Sequence, residues 1–205
     1  MLTDYALAAW TVFLGIRLWR RSAGQRAVQF WAASFAATGL AALTGGTVHG
    51  FSLMLPLPVA VALWKVTLYS IGLGSLLLLL GAAWAALSGR ARRALLAVAL
   101  IKFAAYLVWM GLHDDFRYVV FSYVPDMLAV IALLTLVSPD MRGSPRAWGI
   151  SGVLASLAAA AVQVSGVSLH THFNHNDLYH VMQALAFLLL YRAGTLLRDS
   201  SAQPT

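Results

Sequence analysis

From Leu57 to Ser88 the sequence holds a single charged side chain, Lys65, and that run decides what kind of molecule this is. A segment so apolar belongs in hydrocarbon, where the backbone must satisfy its own hydrogen bonds as a helix. About 20 such residues, rising ~1.5 Å each, cross the apolar layer of a bilayer. Six further stretches meet the same test. Crossings are therefore expected at residues 3–19, 27–49, 58–87, 93–112, 116–138, 147–167 and 176–196. The third, after Pro56 and Pro58, is long enough to include a tilt or a short surface segment. Composition agrees: 60% of residues are hydrophobic and 10% charged, whereas a soluble domain is about a quarter charged. The expected fold is an all-α membrane protein. It has one seven-helix transmembrane domain over residues 1–198 and a polar cytoplasmic tail over 199–205.

The basic residues give this bundle a direction. Arg17, Arg20, Arg21 and Arg26 flank the first connection. Arg90, Arg92 and Arg93 fill the third, Arg142 and Arg146 the fifth, and Arg192 and Arg198 follow the last stretch. With seven crossings these all fall on one side, against Arg117 on the other. Because loops rich in Lys and Arg stay in the cytoplasm, the N-terminus is expected outside and the C-terminus inside, in a bacterial inner membrane. The amino-terminal stretch carries Asp4 and no basic region, so it does not read as a cleaved signal peptide. The net charge of +7 is dispersed over loops without an aromatic platform, which argues against nucleic-acid binding.

There is no cysteine, so a metal would rest on His, Asp, Glu or water. The six histidines, His49, His113, His170, His172, His175 and His180, all fall in the non-cytoplasmic half. His49 ends a stripe of Ser34, Thr38, Ala42 and Gly45, while His180 shares one with Asn176, Gln183, Phe187 and Tyr191. Polar stripes on membrane helices face the bundle interior, and buried ionisable groups there tend to be functional. Imidazoles from two helices with a site left for water describe catalytic zinc. His49 and His180 are the first two expected ligands, and the third is His175 or Asp177. Zinc would polarise a carbonyl and acidify a water, with Asp126 or Asp177 orienting or deprotonating it. Thr47, Tyr69 or Ser70 would donate to an oxyanion, and Asn176 and Gln183 would stand behind the ligands. A buried pair of Lys65 with Asp126 is the economical structural reading of those two charges. Lys102 has no evident partner.

A His at the outer end of helix 2 and a His-containing motif opening helix 7 resemble the seven-helix superfamily of alkaline ceramidases and progestin and adipoQ receptors. That resemblance implies a zinc site and hydrolysis of a lipid amide or ester entering from the membrane. In that superfamily helix 2 carries Ser-x-x-x-His and the last helix His-x-x-x-His. Here His49 and His180 match, while Gly45 stands for the serine and Asn176 for the first histidine. Two other readings compete. One is a haem protein with His49 and His180 as axial ligands. The other is a non-enzymatic receptor, transporter or scaffold with a pH-sensing or structural metal cluster. A retinal protein is excluded, because the seventh stretch has no lysine.

Overall fold

A computed structural model describes residues 2–138, 142–170 and 173–200. They form seven helices: α1 (Leu2–Arg20), α2 (Arg26–Phe51), α3 (Leu57–Ala86), α4 (Gly89–Leu112), α5 (Phe116–Val137), α6 (Pro145–Ser165) and α7 (His175–Leu196). Each lies on one of the expected stretches, and α3 is a single continuous helix rather than a helix with a surface segment. Five of them, α2 to α6, are long and apolar enough to cross a membrane, which makes the chain a multi-pass membrane protein. The other two, α1 and α7, carry Asp4 and Asp177 in their first turns.

Local chemistry sets the helix ends. Pro145 opens α6 behind Ser144, whose hydroxyl accepts the Ala147 amide at 3.2 Å. Asp115 caps α5 by accepting the Arg117 amide at 2.8 Å. Bonds from the Arg117 side chain and backbone hold the Asp115 carboxyl below the usual carboxylate range. α7 begins with a capping box: Asn174 accepts amides of the first turn, and Asp177 reaches back to the Asn174 amide.

Six helices close a ring, with α1 on α2, α2 on α3, α3 on α5, α5 on α6, α6 on α7, and α7 back on α1. The remaining helix, α4, packs on α3 from outside that ring. Its Val98, Ile101, Val108 and Leu112 are exposed, as suits a surface solvated by lipid tails.

The two ends of the ring differ. The end carrying the arginines is filled by Leu18, Trp31, Phe35, Leu79, Leu134 and Leu190, all buried. Trp31 donates to the Leu78 carbonyl at 3.0 Å, and its ring lies so close to Gly81 that any side chain there would collide. Trp84 is covered by the guanidinium groups of Arg26 and Arg92, at 4.8 and 3.7 Å from the ring centre. Asp199 accepts the Arg26 and Ala27 amides at 3.1 and 2.8 Å, so the tail begins docked on the start of α2. At the opposite end, where the histidines lie, the ring opens into a cavity.

Candidate functional site

The cavity at the histidine end encloses about 300 Å³, bounded by α1, α2, α3, α5, α6 and α7. Leu7, Ala42, Ile71, Phe116 and Val164 give it apolar walls, and Asp4, His49, Gln163, Asn176, Tyr179 and His180 supply polar groups. A concave, mostly apolar space with a few convergent polar groups is the usual form of a small-molecule site.

The centre of those polar groups is Asp4, whose residue exposure is 1%. One of its carboxylate oxygens, Oδ1, lies 3.2 Å from His49 Nδ1 and 3.4 Å from His180 Nε2. His49 also meets the Asn176 amide nitrogen at 3.3 Å, and Asn176 Oδ1 accepts from Gln163 at 3.2 Å. Sequence reasoning used Asp4 only to argue against a signal peptide. The signal that identifies it is a carboxylate one turn into the first crossing, on the same side as every histidine. Close packing places it: a Cβ on Gly46 of α2 would stand 2.5 Å from the Asp4 Cβ, so only glycine lets α1 approach there.

The orientation of His180 follows from counting hydrogens. The Thr3 hydroxyl donates to Asp177 Oδ1 at 2.7 Å and lies 3.2 Å from His180 Nδ1. A hydroxyl has one hydrogen, and a carboxylate only accepts, so Thr3 is committed to Asp177 and Nδ1 must be the donor to Thr3. The other nitrogen, Nε2, is left facing Asp4. Nε2 is then the atom that gains or loses a proton, and with it the contact changes between an ion pair and two facing lone pairs.

The structure gives several of the expected residues other partners. Asp177 is engaged at the helix cap, where its Oδ1 accepts the Thr3 hydroxyl at 2.7 Å and its Oδ2 the Asn174 amide at 3.3 Å. His175 lies outside the central cavity, in an adjoining open hollow of about 480 Å³ that it shares with His49, Asn176 and Asp177. Lys65 does not pair with Asp126. It reaches Asp114 at 2.6 Å and the His113 carbonyl at 3.0 Å, closing the end of α4. Lys102 does have a partner: it meets Asp126 at 2.8 Å and the Ser122 carbonyl at 2.7 Å, and Ser75 meets the same carboxylate oxygen at 2.9 Å. Pro125, by removing a helical donor, loosens the α5 turn where this happens. Asp126 is therefore bound within the bundle and does not line the histidine cavity.

The other expected residues have local partners. Thr47 bonds the Tyr5 hydroxyl at 3.1 Å. Neither Tyr69 nor Ser70 lines the cavity, and Tyr69 packs in the cluster around Leu68 and Tyr106. Gln183 accepts the Ser156 hydroxyl at 2.6 Å, which in turn accepts Tyr123 at 2.6 Å. His113 stacks on Trp109 at 4.1 Å with Tyr118 edge-on at 5.2 Å, an arrangement typical of an interfacial aromatic belt. His170 pairs through its backbone with Phe173, and His172 lies outside the described residues.

These placements bear on the expected cofactors. Among the described residues no group of three or more His, Asp or Glu is arranged to hold a metal ion. Of the expected set, His49, His175 and Asp177 border one hollow, while His180 faces Asp4 in the cavity beside it. The two imidazoles expected as axial ligands for haem both face one oxygen of Asp4.

Residues 1–199 match a family described as a family of unknown function, DUF6962. No curated protein and no solved structure matches the chain.

Proposed function

The chain belongs to the DUF6962 family, and we propose that it is a seven-crossing membrane protein of the receptor or carrier class that binds an amphipathic lipid-like ligand in a proton-linked way. The observation that carries this reading is the meeting of two imidazole nitrogens on one buried carboxylate oxygen at the base of an apolar cavity. A burial this deep costs several kcal/mol unless the charge is compensated, and imidazole is a side chain whose compensating charge can come and go with pH. The polar head of a ligand would compete with His180 for Asp4. Its apolar body would lie along Leu7, Ile71 and Phe116. The groups that set the charge at His180 are Asp4, His49 and Tyr179, with Asp177 acting through Thr3 and Arg117 on the cavity wall.

Seven crossings follow if α1 and α7 also span, their polar residues turned toward the ring interior, where such groups are tolerated. The arginine loops then put the C-terminus in the cytoplasm and the cavity on the opposite side.

The test is binding of a fluorescent single-chain acyl amide to the protein in lipid nanodiscs, from about pH 5 to 8. Wild type is expected to bind with a pH-dependent affinity, and Asp4→Asn and His180→Ala to lose that dependence. Equal binding by all three proteins at every pH would end the proposal, as would no binding at all.

A second reading, metal-dependent hydrolysis of a lipid amide or ester, is favoured by one fact: His49 and His180 both face the same oxygen of Asp4. Metal analysis decides it. Stoichiometric zinc in the purified wild type, lost in His49→Ala, would displace the receptor reading.

A further inference from the structure

The histidine cavity does not end at His180. A smaller space of about 50 Å³ adjoins it, and the two share Leu7, Thr38, Ile71 and Tyr179 as walls. A third, of about 30 Å³, shares Ile71 and Tyr179 with both and Tyr123 and Gln183 with the second. The 50 Å³ space lies deeper in the ring, and Ser75, Tyr123, Ser156 and Gln183 line it. Ser75 also meets Asp126 Oδ2 at 2.9 Å, and Lys102 meets the same oxygen at 2.8 Å. The cavities therefore lead from the histidines to within one hydroxyl of the buried Asp126 carboxylate, whose partner Lys102 is half-buried.

Two physical facts decide what fills the inner space. A water needs roughly 10–15 Å³ of room for its centre and two to four polar partners. The space exceeds that volume several-fold and offers hydroxyls and an amide around it. Dry apolar cavities, by contrast, are lined by aliphatic and aromatic groups alone. Toward the arginine end the lining changes. Leu79, Ala82, Ala83, Met127, Val130 and Leu134 are buried at 0–4% exposure and pack together as one apolar cluster, which leaves no polar route.

We propose that the inner space is a hydrated arm of the histidine cavity, a half-channel that exposes the Lys102–Asp126 pair to water and ions from the histidine side and closes it off from the arginine side. Ser75 is its inner gatepost. Its hydroxyl has one hydrogen and two acceptors in reach, the Gly72 carbonyl and Asp126, both at 2.9 Å. It can therefore donate to Asp126 while accepting from a water in the cavity. The inference deepens the proton-linked reading of the same cavity and rests on that cavity being open to solvent.

The chain has no cysteine, so single substituted thiols report access without background. We would make Thr38→Cys, at the junction of the two spaces, Ser75→Cys, at the inner end, and Ala82→Cys, in the apolar cluster. Each would be reconstituted in nanodiscs and reacted with silver ion as the probe. The expected result is reaction at Thr38→Cys and Ser75→Cys, with Ala82→Cys at least about tenfold slower. If Thr38→Cys reacts while Ser75→Cys is as slow as Ala82→Cys, the inner arm is dry and this inference is overturned, while the outer cavity stands. If neither cavity thiol reacts, both readings fall together. Equal reaction at all three sites would show a path open at both ends and overturn the one-sided half-channel. In sealed vesicles, reaction of Ser75→Cys from the arginine side would overturn it as well.

Discussion

Two carboxylates are buried inside this bundle, and they are answered differently. Asp126, in the middle of α5, faces the ammonium of Lys102, and it is further held by Ser75. Asp4, at the histidine end of α1, faces two imidazoles. The first arrangement fixes structure: it binds the outlying α4 to α3 and α5. The second brings together groups from three helices and borders a cavity of about 300 Å³. The contrast teaches that a buried charge in a membrane helix is not by itself a functional site. What matters is whether its partner can leave.

Experiments can break or sharpen this contrast. The largest effect is expected from Lys102→Met, which leaves Asp126 buried without its cation and should destabilise the protein by about 3 kcal/mol in detergent unfolding. Replacing both members of the pair, with Lys102→Met and Asp126→Leu together, should recover most of that loss. If the single variant unfolds like wild type, the pair is not structural. Next is Gly46→Ala, whose new methyl would press on Asp4. It should cost about 1–3 kcal/mol by overpacking and abolish pH-dependent ligand binding while leaving the carboxylate in place. Retained binding would show that the position of Asp4 is unimportant. Asn174→Ala removes the cap of α7 and should cost about 1 kcal/mol, readable as earlier amide exchange in the first turn of that helix. The smallest change in stability, near 1 kcal/mol, is expected for Thr3→Val. Its pH profile of binding should nevertheless shift, because His180 loses the acceptor that fixes its tautomer, and Thr3→Ser should restore it. An unchanged profile in Thr3→Val would remove Thr3 from the site.

The helices could be read from the sequence because one strong term, transfer of an apolar segment into hydrocarbon, sets their positions almost alone. Histidines 49 and 180 were also readable, since polar residues on membrane helices must turn inward. The partners of the charges were not. Lys65 lies on α3 within the ring and Lys102 on α4 outside it, and their distances to Asp126 depend on which helices are neighbours. Spacing along the chain does not contain that information. Asp177 shares a face with His180 in the sequence, but its place in the helix cap depends on Asn174 and Thr3, which helical spacing does not bring to it. Asp4 was overlooked because an acidic first turn is ordinary, and only the contact of α1 with α7 reveals its role.

That contact carries a consequence for biogenesis. Asp4 lies on the first helix, His49 on the second and His180 on the seventh, so during synthesis the aspartate can meet one imidazole early and the other only when α7 docks. Assembly of the site is thus a two-step event, and a chain truncated before α7 should hold Asp4 through His49 alone.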